Sequence, residues 1–509
     1  MTSQSPSMSD ADPARIASVL IVGGGTAGWM AAAALAKHFH GSGLVITLVE
    51  SDEIGTIGVG EATIPTIRRF IARLGLSDET VMRATGATAK LGILFEDWHR
   101  KGEGFIHPFG LYGEDYGELG FHHLWLQRRR GGDERPINDY SFGAQLAERG
   151  RMAIPPRDTP RTPFAVFDWA LHLDAAAFAR LLRDYAVNSG VKRVEGRIIS
   201  VEADAGMVRS VTLADGNTLA ADLFIDCSGF RGLMIEKALG VGFEDWSEWL
   251  PCDAAVAVQS EWKAGDPPPF TRAKACDYGW QWRIPLRHRA GNGYVYSTRH
   301  LSADEATAAL LADLPGKPLR DPLSIPFRSG RRTRAWQGNT VALGLASGFL
   351  EPLESTSIAL IETGIERLKE LFPTRDLDPA LADEFNDATA REMERVRDFI
   401  ILHYKLTRRD DTPFWVHCRD MAVPPTLERK LALWDARGEF VRYRWEMFHP
   451  ASWLAMYAGF QRIPRSLHPA LATVPAGLTG EGLDRIRAVI DRQVAASPSH
   501  QAFLDKVHG

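Results

Sequence analysis

The sequence predicts an α/β protein whose body is built on a parallel sheet and whose C-terminal part is mostly helical. Three observations carry that expectation. An apolar run at 19–23 leads into helix-forming residues 27–38 and then a second apolar run at 44–49. Uninterrupted apolar strands of this kind are buried on both faces, as in parallel sheets. Strand-like runs broken by Pro and Gly fill 246–296, and helix-forming residues dominate from Ser355 onward. With 509 residues, 45% of them hydrophobic and 24% charged, the chain can build large cores without staples. One long α/β body with a helical part packed on it is expected, not beads on a string.

Several classes of protein are set aside by composition. The four cysteines, Cys227, Cys252, Cys276 and Cys418, form no CxxC pair and make no disulfide framework. A net charge of −5 argues against nucleic acid or an anionic membrane as partner. No 18-residue apolar stretch occurs, and residues 1–15 are polar without an apolar h-region. They read as a disordered lead-in, and a cytoplasmic location is expected.

Further elements follow in order. Residues 172–189 read as a helix capped by Asp174, with Ala177, Leu181, Leu182 and Tyr185 on its apolar side. Strand-like runs at 197–202 and 207–213 precede a turn at Asp215-Gly216, and 223–227 resembles a buried strand. Prolines at 267–269, 423–425 and 464–469 mark loops. The expected organisation is a lead-in (1–15), an α/β body (16–355) and a helical part covering the substrate site (356–509).

Chemistry enters first at Gly23-Gly24-Gly25-Thr26-Ala27-Gly28, a GxGxxG placed after a strand and opening a helix. Gly23 permits a tight turn, Gly25 lets the backbone approach a pyrophosphate, and Gly28 allows close packing of helix on strand. The helix N-terminus, with the N–H groups of Thr26 and Ala27, offers donors to phosphate. Glu50 ends the second strand, where an acid holds a ribose hydroxyl. A dinucleotide site is expected, and the motif alone leaves FAD and NAD open. The segments 223–229 and 338–344 are similar to those by which flavoprotein monooxygenases return to their flavin, which favours FAD.

Three further segments stand out: Trp280-Gln281-Trp282-Arg283-Ile284-Pro285, Gly58-Val59-Gly60-Glu61-Ala62-Thr63-Ile64-Pro65 and Phe349-Leu350-Glu351-Pro352-Leu353-Glu354-Ser355-Thr356. Alternate positions put Trp280 and Trp282 on one face of a strand. With 14 Trp against 10 Tyr, the chain also favours large flat walls. Together these segments resemble the flavin-dependent tryptophan halogenase family, over 19–464.

The resemblance implies an FAD-binding, Rossmann-like monooxygenase body with a β-rich substrate region. It implies that reduced FAD and O₂ form a C4a-hydroperoxide which chloride or bromide attacks, and that hypohalous acid then passes through a tunnel to a lysine. That lysine corresponds to Lys90, and Glu354 corresponds to the carboxylate that assists it. Burial of Lys90 among apolar residues would make it a nucleophile, forming a haloamine, or a donor that holds hypohalous acid; both readings stay open. Taken alone, Lys90 also fits a helix-end lysine reaching solvent. Glu354 alone fits an acid near a helix start, and Glu351 is read as structural.

Leu345 and Ile358 join the flavin neighbours by the same resemblance, and the halide falls to backbone N–H groups at Thr356 and Ser357. Here Ser357 replaces a family glycine. Substrate walls correspond to His107 and Phe109, with Phe448 and Trp453 competing for a third, and Trp434, Trp445 and Trp453 are expected to cluster there. The remaining tryptophans, Trp29 among them, have no assigned task.

Residues 434–443 lack the tyrosine pair and glutamate that hold a free amino acid, so a plain indole, a phenol-like arene or a larger or carrier-held indole is expected instead. His99, His107, His122 and His123 show no metal spacing, and no metal is expected. Arg128-Arg129-Arg130 reads as a solvated loop. No second dinucleotide motif is present, so a separate flavin reductase is the implied partner, and a homodimer is compatible with the resemblance. The alternatives are a flavin-dependent aromatic hydroxylase and an inactive FAD-binding protein.

Overall fold

In the computed structural model, which describes residues 14–53, 60–155, 166–263, 265–475 and 477–509, the strand Ser18–Val22 lies inside a six-stranded sheet. Its parallel neighbours are Val45–Glu50 and Leu223–Asp226, flanked in turn by Lys192–Glu195 and Thr340–Ala342. Only the edge strand Trp336–Gln337 runs antiparallel. The helix Thr26–His38 lies against this sheet and buries Trp29 through Ala36 without a break, because its small alanines allow close approach. This is the Rossmann-like α/β core expected from the apolar runs.

The helix expected at 172–189 begins later. His172 belongs to the strand Ala170–Leu173, and the helix is Ala175–Asn188, with Asp174 accepting from the Ala177 N–H at 2.9 Å. Its buried face centres on Phe178, Leu182 and Ala186, whereas Ala177, Leu181 and Tyr185 are half-buried. A cap at Asp174 fixes that phase, since the residue before it still pairs in a sheet. The strands Ile198–Asp204, Met207–Leu213 and Thr218–Ala220 form a separate antiparallel sheet around the Asp215-Gly216 turn.

A seven-stranded sheet forms the β-rich region. Its order is Leu323–Pro326, Ala254–Ser260, Ala290–Tyr296, Gly279–Pro285, Phe270–Cys276, Gly92–Glu96, Gly104–Pro108. A small sheet beside it pairs Thr88–Lys90 and Glu61–Ala62 with Ala170–Leu173. Leu91 alone separates the lysine strand from the large sheet, so Lys90 sits at the junction of the two.

The C-terminal part is helical: Ser357–Glu370, Pro379–Lys405, Pro413–Asp420, Pro425–Arg437, Pro450–Gly459, Leu483–Ala496 and His500–His508. The 27-residue helix Pro379–Lys405 is buried all round from Val396 to Tyr404, the run VRDFIILHY. A helix apolar on every side belongs in a core, and here it fills the space against the seven-stranded sheet and the helix Pro450–Gly459. No helix among the described residues is long and apolar enough to cross a membrane.

Two local expectations are corrected. Of the lead-in, residues 1–13 lie outside the described residues, but Ala14 and Arg15 are tied down: the Arg375 N–H donates to the Ala14 carbonyl at 2.7 Å and Arg15 bridges Thr374. Arg128, Arg129 and Arg130 form the last turn of the helix Phe121–Arg130 rather than a solvated loop. Arg128 pairs with Asp133 and with Asp484, and Arg130 donates to the carbonyls of Pro464 and Arg465. Cations in a last helical turn also complement the helix dipole.

Candidate active site

A cavity of about 580 Å³ opens where the glycine turn meets the helix Thr26–His38. Gly23 adopts φ +112, and a Cβ there would stand 2.3 Å from the Cys227 carbonyl oxygen. A Cβ on Gly24 would collide with the Glu50 carboxylate, whereas Gly25 faces open space inside the cavity. Gly28 does not line the cavity; its missing side chain lets the helix turn close over the Gly23 carbonyl. Such a bare backbone cradle beneath a helix N-terminus fits a pyrophosphate. Thr26, Ala27, Leu345 and Ile358 line the same cavity. Of the motif 58–65, Gly58 and Val59 lie outside the described residues, while Gly60, Glu61 and Ala62 line the wall.

Glu50 is held from both sides. Its Oε1 accepts from Arg193 Nε at 2.5 Å and its Oε2 from Trp29 Nε1 at 3.1 Å. Trp29, which the sequence reading left without a task, therefore orients the acid at the end of the second strand. The signal was the 21-residue separation along one strand–helix–strand unit, which places a helix side chain beside a strand end.

The strand Gly279–Pro285 forms the opposite wall. Trp280, Trp282 and Ile284 all line the cavity, and the two indoles lie 6.1 Å apart. Trp280 donates to Glu351 Oε2 at 2.9 Å, and Tyr404 donates to the same oxygen at 2.6 Å. Burial pushes Glu351 up to about 7, against these two bonds. The Pro285 carbonyl accepts from Thr88 Oγ1 at 2.6 Å, which ties the tryptophan strand to the lysine strand.

Lys90 is fully buried. Its Nζ donates to the Thr63 carbonyl at 3.0 Å and to Ser355 Oγ at 2.8 Å, and lies 5.1 Å from the centre of the Phe109 ring. Desolvation pulls its pKa down to about 7, and the negative charge of Glu354 opposes the fall. Ser355 holds φ +60, a left-handed position between the turn Pro352–Glu354 and the helix Ser357–Glu370. That bend lets consecutive residues 354 and 355 serve the same centre. Lys90 is thus no helix-end lysine reaching solvent; it ends a strand in the interior.

Glu354 is clamped by two imidazoles. Its Oε1 meets His403 Nε2 at 2.7 Å, and both oxygens lie 3.1 Å from His107 Nδ1. Burial works to raise its pKa, but His107 and His403 outweigh it and hold the carboxyl at about 2. The Phe399 carbonyl lies 2.8 Å from His403 Nδ1 and can only accept, so Nδ1 carries a proton. The 2.7 Å contact joins His403 Nε2 to the ionised Glu354 carboxylate.

An aromatic chamber surrounds this pair. Phe399 stacks on Phe448 with 3.9 Å between centroids, meets Trp453 edge-on at 5.0 Å and lies 5.9 Å from His107. His107 Nε2 and Trp453 Nε1 are buried without a hydrogen-bond partner among the described residues. Phe399 and His403 were missed by sequence reasoning; the available signal was their i, i+4 spacing across the apolar run 399–402 of the helix Pro379–Lys405. Trp434 stacks on Tyr457 at 4.3 Å, and Tyr457 lies 6.3 Å from Trp453, so these two tryptophans share one layer. Trp445 does not join them. It lies against Arg367 and Arg444, because its φ of +68 turns the chain away.

Thr356 immediately precedes the helix Ser357–Glu370, whose first-turn N–H groups have no intrahelical acceptor. Ser357 lines the cavity, and Thr356 Oγ1 is buried without a partner. In 434–443, Tyr443 donates to the Thr426 carbonyl and Glu439 pairs with Arg437. Among the histidines, His99 contacts Glu103, His122 contacts the Gly438 carbonyl, and the His123 ring lies against His468.

A nucleotide cradle with two tryptophans on its wall, and beside it a buried amine, a clamped carboxylate and a cluster of aromatic rings, fits a flavin-dependent oxidoreductase acting on an aromatic substrate. The sequence profile described as Tryptophan halogenase matches residues 18–476, and the chain belongs to that family. It is a flavin-dependent halogenase, an enzyme class that uses halide and a separate flavin reductase. The chain is 38% identical to the tryptophan 6-halogenase SttH of Streptomyces toxytricini, over 93% of this chain and 95% of that one. It is 36% identical to the tryptophan 7-halogenase RebH of Lentzea aerocolonigenes, over 97% and 99% of the two chains. The solved structure of BrvH, a flavin-dependent halogenase from Brevundimonas sp. BAL3, superposes with a TM-score of 0.94 at 61% identity, covering 98% of this chain and all of that one (100%).

Proposed function

We propose that the chain halogenates an electron-rich, indole-like arene, with Lys90 delivering the halogen and Glu354 assisting. The observation that carries this reading is the setting of Lys90 Nζ: fully buried, with two neutral oxygen acceptors and a pKa near 7. As an ammonium it keeps one N–H to aim at hypohalous acid. As an amine it offers a lone pair that can take the halogen. The cofactor is FAD, which Gly23, Gly25, Thr26, Ala27, Glu50, Leu345 and Ile358 would hold, with Gly28 letting the helix turn close over the Gly23 carbonyl; reduced by the partner enzyme, it would activate O₂, the oxidant that turns halide into hypohalous acid.

The chain's own residues divide the remaining work. First-turn N–H groups at Thr356 and Ser357 offer donors to chloride or bromide. His107, Phe109, Phe448 and Trp453 form flat walls for the arene, to which Phe399 adds a fifth. Attack on an electrophilic halogen leaves a cationic ring that must lose a proton. Glu354, anionic and in contact with His403 and His107, stabilises that cation and accepts the proton. Residues 434–443 lack a tyrosine pair and a glutamate in register for an amino-acid zwitterion, which supports a substrate other than free tryptophan.

The test is a panel of indoles, phenols and free tryptophan, assayed with a flavin reductase and chloride or bromide, with product masses as readout. Addition of halogen to indoles in preference to free tryptophan is expected. Addition of oxygen in place of halogen would refute the reading.

A further inference from the structure

The net reaction that makes hypohalous acid consumes a proton: FADH₂, O₂, halide and H⁺ give FAD, hypohalous acid and water. Oxygen accepts four electrons, two from the flavin and two from the halide, and one extra proton must reach the oxygen that leaves as water. Nothing assigned so far supplies it, since Lys90 and Glu354 lie at the substrate end.

Four acids line the cofactor cavity: Glu50, Asp52, Glu61 and Glu392. Glu50 is engaged by Arg193 and Trp29, Asp52 by Arg193, and Glu392 by Arg367 and Thr363. Glu61 has no hydrogen bond or ion pair among the described residues. It stands on the strand Glu61–Ala62, opposite Leu173, with Gly60 and Ala62 beside it on the same wall.

The cations of neighbouring elements are committed elsewhere or lie along the wall. Arg289, next to Gly60, pairs with Asp174 at 2.7 Å, and Lys90 is held by Thr63 and Ser355. Arg180 and Arg183 line the cavity from the helix Ala175–Asn188. Burial raises the Glu61 pKa to about 7 with no charged partner to oppose it. Filling the cavity with a cofactor would remove still more water from this carboxyl.

We infer that Glu61 is the proton donor of the cofactor pocket, the acid that protonates the oxygen released as water when hypohalous acid is formed. This rests on the halogenase reading. The Glu61 O–H bond breaks, an O–H bond forms on the leaving oxygen, and the carboxylate left behind regains a proton from solvent through the cavity mouth. Two residues further on, the Thr63 carbonyl holds Lys90, so one short segment serves both ends of the passage.

The experiment uses the full chain loaded with FAD, as wild type, Glu61→Gln and Glu61→Asp. The infrared spectrum of wild type minus that of Glu61→Gln, taken near neutral pH, should show the C=O stretch of one protonated carboxyl, the contribution of Glu351 being common to both and cancelling. With reductase and bromide, Glu61→Gln should form hypohalous acid about 100-fold more slowly, the scale of lost general-acid catalysis, while FAD binds as before. Glu61→Asp, which keeps an acid, should retain the band and recover part of the rate. A difference spectrum without that stretch, or hypohalous acid formed by Glu61→Gln at the wild-type rate, overturns the inference. If Glu61→Gln fails to fold, a Glu61→Asp enzyme that folds but lacks the band overturns it equally. Wild-type enzyme that forms no hypohalous acid would instead sink the halogenase reading, and is told apart by failing before any substitution is made.

Discussion

His403 Nε2 lies 2.7 Å from Glu354 Oε1, and the two are carried by different layers, a helix of the C-terminal part and the turn that ends the body. Together with His107, whose influence is the larger, the contact keeps a fully buried carboxylate ionised where burial alone would protonate it.

Removing the imidazole should therefore cost activity in a pH-dependent way. His403→Asn is expected to lower halogenation by about 10- to 100-fold and to move the acid limb of the pH profile upward, because Glu354 then titrates at a higher pH. FAD affinity should not change. A profile identical to wild type would remove His403 from the role of proton partner.

Lys90→Ala should abolish halogenation while FAD titrates normally. Lys90→Met adds a stability test. The native pKa of about 7 lies below the ordinary 10.5, so between these values the unfolded chain binds more protons and stability rises with pH. The excess stability of Lys90→Met over wild type should shrink as thermal melts are taken from pH 7 toward pH 10.5. A constant difference would mean that Lys90 is not desolvated in solution.

Glu351→Leu leaves the Trp280 N–H and the Tyr404 hydroxyl without their acceptor, and should cost roughly 2–6 kcal/mol in urea unfolding, about 1–3 kcal/mol for each stranded donor. Glu351→Gln keeps an acceptor oxygen and should cost less. The raised native pKa of about 7 against an ordinary 4.5 makes the folded chain bind more protons in that window. Wild-type stability should accordingly fall from pH 4.5 to 7 by a component absent from Glu351→Gln.

Trp29→Phe deletes one of the two donors that fix Glu50. Loss of one hydrogen bond to a charged group predicts FAD binding weaker by about 10-fold or more, read by flavin fluorescence, with the fold intact. Unchanged affinity would show that Arg193 alone suffices.

Much of the α/β body of this protein is legible from local signals. The glycine turn, Glu50 and the paired tryptophans each declare themselves through short-range geometry: a φ only glycine adopts easily, an acid at a strand end, a period of two. Resemblance to a family, and not periodicity, pointed to Lys90 and Glu354, since the 265 residues from Lys90 to its Ser355 acceptor carry no local trace. His403 and Phe399 stayed hidden because a helix buried on every side shows no polar stripe to set its phase. The start of the helix after His172 was misplaced for the opposite reason: a three-residue strand neighbour, visible only in the sheet, outweighed helix-forming residues.

The lysine and its three-residue strand belong to the sheets, whereas Phe399, Phe448 and Trp453 come from the helical part. Three of the five proposed walls are thereby written apart from the lysine, while His107 and Phe109 stay with the body. A library confined to residues 440–460 can reshape which ring is admitted and which edge it presents, while the electrophile continues to arrive by an unaltered route.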